Sequence, residues 1–142
     1  MKGICILGAT GSIGVSTLDV VLRHPEKYKV IALTANTNIE DLFHQCLIHH
    51  PEYAVVVDES RAESFEEKIK SSEASDIQVL SGKSALEQVS TLDNVDSVMA
   101  ALVWAAGLLP ILAAAKAGKT VLLANKEAQV MSGDIFMEAV AE

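Results

Sequence analysis

The chain is poor in cysteine, in positive charge and in linker-like sequence, and each shortage removes a class of protein. Two cysteines in 142 residues, Cys5 and Cys46, are too few for a disulfide framework and lack metal-ligand spacing. They read as core fillers of a reduced, cytoplasmic protein. Lys and Arg number 11 against 19 Asp and Glu, a net charge of -8, and nowhere gather into a patch. Nucleic acid and membrane surfaces are therefore not expected as partners. A net negative chain can still hold a phosphate locally, so nucleotides stay open. No repeat, low-complexity tract or Pro/Ser-rich linker divides residues 1–142, which are expected to form one domain around one core. No signal peptide is expected, because Gly8, Gly11 and Gly14 break the apolar start at once. One uncharged run, Val98 to Ala115, reaches the length of about 18 residues that a membrane span needs. Gly107 and Pro110 interrupt it, and a buried strand, a turn and a packed helix account for it better.

What is present is alternation. Half of the residues are apolar and 21% are charged, which excludes disorder. Strands are expected at Gly3–Leu7, Tyr28–Thr34, Tyr53–Val57, Ile77–Leu80, Ser97–Val103 and Thr120–Ala124. Their Val, Ile and Leu run without strict alternation, the pattern of parallel strands covered on both faces. Helix-period segments lie between them. Ile39, Leu42, Phe43, Cys46 and Leu47 form one apolar helix face, with Asn38 as its cap. Ser60-x-x-Glu63 reads as a capping box ahead of Phe65 and Ile69, and Gly118 as a left-handed helix end. A last helix is expected after the sixth strand. The fold expected is α/β, a Rossmann-like doubly wound and mostly parallel sheet with helices on both faces.

The first strand runs into Gly8-Ala9-Thr10-Gly11-Ser12-Ile13-Gly14, then a helix carrying Ile13, Thr17, Val20 and Val21. Glycines here serve a tight turn, close backbone approach to a pyrophosphate, and packing of helix on sheet. The helix N-terminus offers free N–H groups to phosphate. The spacing is G-x-x-G-x-x-G, a variant common among NADP-preferring reductases. An NAD enzyme would place a carboxylate at the end of the second strand. Here that strand ends in Thr34-Ala35-Asn36-Thr37-Asn38, so a 2′-phosphate meets no repulsion and NADPH is favoured. No Lys or Arg lies in this run. Arg61 is the nearest candidate for the charge, or else a solvated helix residue.

The sixth strand delivers Asn125-Lys126-Glu127 to the same rim. Lys126 could bind a substrate phosphate or polarise a carbonyl; Asn125 and Glu127 could hold the nicotinamide ribose. A helix cap with an exposed first turn is the plainer alternative. His24, His44, His49 and His50 lack partners at ligand spacing and read as surface residues, His49-His50 at a helix end. Trp104 reads as packing, and the charges of Glu59–Glu73 as one solvated helix face. A short-chain dehydrogenase would need Tyr-x-x-x-Lys, but Ala32 and Val57 follow Tyr28 and Tyr53 at that distance. A semialdehyde dehydrogenase would need a nucleophilic Cys, which neither buried-type cysteine supplies.

GATGSIG followed by Ser16-Thr17-Leu18-Asp19-Val20-Val21, then Ala105-Ala106-Gly107-Leu108, Gly118-Lys119-Thr120 and Leu122-Leu123-Ala124-Asn125-Lys126-Glu127, resemble one family across essentially the whole chain. It is the bacterial 1-deoxy-D-xylulose 5-phosphate reductoisomerases, at their N-terminal domain. The resemblance implies NADPH-dependent rearrangement and reduction of that sugar phosphate to 2-C-methyl-D-erythritol 4-phosphate in non-mevalonate isoprenoid biosynthesis. It implies a divalent metal (Mg or Mn) held by residues beyond Glu142, further catalytic and C-terminal domains, and a cytoplasmic homodimer. Carried over, Thr10, Gly11, Ser12 and Ile13 would bind the NADPH pyrophosphate region, and Asn36, Thr37 and Asn38 its 2′-phosphate side. Asn125 and Glu127 would contact NADPH, and Lys126 the phosphorylated sugar substrate. No metal ligand is expected within the chain. Two departures stand out. Asn36-Thr37 replaces a common Gly-Lys pair, removing one positive charge, and Ala128-Gln129 replaces a common Ser-Leu. The other function considered is a stand-alone NADP(H)-binding or sensing module without catalysis.

Overall fold

The computed structural model describes residues 1–101, 104–124 and 136–139, with the backbone alone at 104–107, 124 and 136–139. The strands are β1 (Lys2–Leu7), β2 (Tyr28–Ala35), β3 (Tyr53–Val56), β4 (Gln78–Ser81), β5 (Ser97–Ala100), β6 (Thr120–Ala124) and β7 (Phe136–Ala139). The helices are α1 (Ser12–Arg23), α2 (Ile39–His49), α3 (Glu59–Lys70), α4 (Lys83–Ser90) and α5 (Trp104–Lys116). The strands form one sheet in the order β4-β3-β2-β1-β5-β6-β7, parallel from β4 to β6, with β7 antiparallel to β6.

Period-2 geometry sends alternate residues of β1 to opposite faces. Ile4 and Ile6 join the core that holds Leu18 and Val21 of α1, Leu42 and Cys46 of α2, and Phe65 and Ile69 of α3. Cys5 and Leu7 join the other, with Ala85, Leu86 and Val89 of α4 and Ala114 of α5. Helices therefore cover both faces, and β1 reads as an unbroken apolar run because both its faces are buried. The two cysteines are fully buried, as core fillers should be. The run from Val98 resolves into β5 and α5, and no described helix is long and apolar enough to cross a membrane.

The expected caps divide. Asn38 Oδ1 accepts from the Asp41 N–H at 3.1 Å, and Gly118 takes φ +82 after α5. The start of α3 differs from the capping box. Asp58, not Ser60, is the N-cap, accepting from the Ser60 N–H at 3.0 Å and its Oγ–H at 2.6 Å. A carboxylate at that N-cap also suits the positive end of the helix dipole. On α1, Leu18 is buried and Val20 is exposed, so the inward stripe follows Gly14, Thr17, Leu18 and Val21. The fourth strand is shifted one residue from Ile77–Leu80, and the fifth is shorter than Ser97–Val103, residues 102 and 103 lying outside those described. Residues 136–139, expected within a last helix, form β7. Pairing with the free edge of β6 supplies hydrogen bonds that local helix period could not foretell.

Candidate functional site

β1 lies between β2 and β5, where the direction of strand addition reverses, and ligands of open α/β sheets bind beyond the carboxyl ends at that point. The chain leaves β1 through Gly8 at φ +84, a conformation that side chains bearing a Cβ rarely adopt. Its N–H donates to Thr34 Oγ1 at 2.9 Å, and the Ala9 N–H to the Thr34 carbonyl at 2.7 Å. The end of β2 thereby pins the turn. From α2, Gln45 Nε2 donates to the Ala9 carbonyl at 2.9 Å, while Gln45 Oε1 is buried with no partner among the described residues.

Two glycines of this loop have opposite surroundings. A Cβ on buried Gly14 would stand 2.4 Å from the Gly8 oxygen and 2.5 Å from that of Ala9, so α1 presses on the loop as closely as backbone allows. A Cβ on exposed Gly11 would meet only the Gly8 oxygen, at 3.8 Å. Gly11 is also the N-cap of α1, and no side chain caps the helix there. The first-turn N–H groups thus lie at the positive end of the helix dipole with no intrahelical acceptor, an arrangement suited to an anion. Thr10 and Ser12, the hydroxyl residues next to Gly11 in the chain, are half-buried and exposed respectively, and Ile13 packs half-buried against the core.

Beyond β2, Asn36, Thr37 and Asn38 are exposed. The Asn38 amide is already engaged with Asp41, through Oδ1 and through Nδ2 to Oδ2 at 2.8 Å, so it serves α2 first. Asn36 and Thr37 line an open cleft of about 790 Å³ shared with Asp58, Glu59, Lys83 and Ser84. Arg61 is not among its lining residues; its Nε lies 3.7 Å from Asp58 Oδ2. Hydrogen bonds from Ser60, opposed slightly by burial and aided by Arg61, hold the Asp58 carboxyl below its ordinary range. Asn125, Lys126 and Glu127 lie outside the described residues.

Among the described residues, no three His, Cys, Asp or Glu side chains come together as a metal site. His44 and His50 are exposed, His24 and His49 half-buried. Burial lowers the His49 pKa, so its neutral form is favoured rather than a cation complementing the helix end. The histidine pair does close α2, with His50 as a left-handed cap at φ 46.

Sequence reasoning missed Gln45 and Lys83. Gln45 stands among the apolar positions of α2, where a buried amide signals a partner, but the partner lies 36 residues away. Lys83 follows an apolar strand and a glycine, which is a rim position in this fold, yet nothing local says which rim residue it faces.

Residues 4–133 match the family model described as 1-deoxy-D-xylulose 5-phosphate reductoisomerase. The chain belongs to that family. It is 61% identical over 141 residues to the reductoisomerase of Methylococcus capsulatus, covering 99% of this chain and 36% of that protein. With the enzyme of Nitrosomonas europaea the identity is 52%, over 99% of this chain and 34% of the relative. The chain thus spans about a third of the length of the curated relatives it matches. Among solved structures, the Zymomonas mobilis reductoisomerase in complex with NADPH superposes with a TM-score of 0.80 at 41% identity, over 93% of this chain and 34% of that one. A reductoisomerase in complex with NADPH, fosmidomycin and magnesium superposes with a TM-score of 0.83 at 40% identity, over 94% of this chain and 32% of that one.

Proposed function

We infer that residues 1–142 are the NADPH-binding domain of a 1-deoxy-D-xylulose 5-phosphate reductoisomerase. The observation that carries this is the open N-terminus of α1 at the switch point of the sheet, capped by a glycine with room beside it. The local chemistry fits a dinucleotide. Thr10, Gly11, Ser12 and Ile13 would hold the pyrophosphate, with Gln45 steadying the loop from behind. Asn36, Thr37 and Asn38 would face the adenosine 2′-phosphate, where the missing carboxylate admits the extra anion. Asn125 and Glu127 would contact NADPH, and Lys126, a compact point charge, would bind the sugar phosphate.

When bound, NADPH supplies the hydride that reduces the aldehyde formed by rearrangement of the substrate. This chain would bind and orient the cofactor at the carboxyl rim and present Lys126 to the substrate beside it. A divalent metal and the groups that hold it would come from outside these residues, and the whole enzyme would work as a homodimer in a bacterial cytoplasm. Family membership weighs against a binding module without catalysis.

Two measurements test this reading in the native full-length polypeptide. Fluorescence titration should give tighter binding of NADPH than of NADH; equal affinities would remove the 2′-phosphate assignment. Lys126→Ala should raise the substrate KM or lower kcat with NADPH affinity little changed. An unaltered kcat/KM would end that role for Lys126.

A further inference from the structure

The proposed 2′-phosphate seat has a charge deficit. Asn36, Thr37 and Asn38 carry no cation, and the nearest one along the chain past β3, Arg61, stands off the cleft beside Asp58. The cleft itself supplies another. It joins the carboxyl ends of three adjacent parallel strands: Asn36 and Thr37 follow β2, Asp58 and Glu59 follow β3, and Lys83 follows β4. Among the described residues Lys83 is the sole cation lining it, is exposed, and takes part in no ion pair. We propose that Lys83 is the specificity-determining residue that draws the 2′-phosphate of NADPH, and so sets the preference over NADH.

The assignment rests on the NADPH reading above and adds to it the source of the charge. Adjacent strands lie about 4.8 Å apart, so β2 and β4 are separated by roughly 10 Å across β3. A phosphate standing out from the end of β2 and a four-carbon stem reaching in from β4 can together close that distance. The two acids of the cleft differ in their effect. Asp58 is engaged by Ser60 and faces Arg61. Glu59 is not so neutralised: its Oε2 would lie 3.2 Å from a Cβ on Gly82, the residue before Lys83. That carboxylate, lining the same cleft, opposes the entry of a phosphate. Lys83 and Glu59 therefore act on NADPH affinity with opposite signs.

The test is titration of NADPH and NADH into the native full-length polypeptide, unaltered and as Lys83→Gln, Glu59→Gln and Arg61→Gln. Lys83→Gln should weaken NADPH on the order of tenfold, as expected for one charge facing a dianion at short range in a water-like medium, and leave NADH unchanged. Glu59→Gln should tighten NADPH several-fold, and Arg61→Gln should keep the ratio of the two affinities. The inference is overturned if Lys83→Gln shifts both dinucleotides equally or neither, or if Arg61→Gln abolishes the preference instead. Should the unaltered protein bind neither dinucleotide, the cofactor reading itself fails, and the role of Lys83 with it.

Discussion

Gly14→Ala is the most direct probe of how fold and site share one loop. The added methyl would stand 2.4 Å from the Gly8 oxygen, 2.5 Å from the Ala9 oxygen and 2.6 Å from the Ala9 carbonyl carbon. Ordinary contact is about 3.5 Å, so the loop must retreat by roughly 1 Å. All three atoms are backbone and cannot swing aside as a side chain could. The Ala9 carbonyl is further held by Gln45, and the Ala9 N–H by Thr34, so retreat also strains or breaks those bonds. Overpacking of this kind costs about 1–3 kcal/mol. Urea unfolding followed by circular dichroism should show a loss of that size, and NADPH titration should show weakened binding, because the first-turn N–H groups move with the loop. Gly11→Ser is the control. Its side chain has space, and a serine at the N-cap satisfies a first-turn N–H, so stability should hold or rise by a few tenths to about 1 kcal/mol. NADPH affinity should nevertheless fall, since the hydroxyl takes the donor meant for phosphate. Gly14→Ala with unchanged stability and affinity, or Gly11→Ser binding NADPH as before, would refute the reasoning.

Gln45→Leu should leave the fold intact but weaken NADPH several-fold, through loss of a hydrogen bond worth about 1 kcal/mol to the loop; unchanged affinity would show that the loop needs no support from α2. Phe65→Ala should cost about 3–5 kcal/mol in urea unfolding, because Phe65 is fully buried between α3 and the sheet. Burial pushes the thiols of Cys5 and Cys46 up to about 12, the former against a smaller opposing hydrogen bond with Ser90. Neither should react with a thiol reagent near neutral pH until the protein unfolds. The unfolded thiols release their protons near pH 8.5–9 and the folded ones only near 12, so stability should decline as pH rises across that window. Asp58 has the opposite sign: its folded pKa is depressed, so the α3 cap is intact above about pH 4 and lost as acid protonates it. Asp58→Asn should reduce the acid sensitivity of unfolding, and an identical pH profile would exclude that role.

Much of this protein follows from local sequence. Strands buried on both faces need apolar residues at every position, so β1, β2, β3 and β6 are visible as runs. The phosphate loop is equally local, since Gly8 and Gly14 answer constraints within seven residues of chain. Asn38 and Gly118 cap what lies next to them.

The rest depends on long-range contact. Both Asp58 and Ser60 can cap a helix, and which one does so follows from where β3 ends and α3 packs. Val20 and Leu18 fit one helical pattern almost equally, until the sheet chooses the face. β7 arises because β6 has an edge to pair, not because residues 136–139 announce a strand. At the site, sequence marked the pyrophosphate loop and the absence of a carboxylate after β2, both properties of contiguous residues. It could not mark Gln45 behind the loop or Lys83 across the cleft. Those follow from the strand order β4-β3-β2-β1, which brings the ends of three strands together although 47 positions separate Asn36 from Lys83. Backbone conformation is set mainly by neighbours in the chain, whereas the charge a phosphate meets is set by neighbours in space.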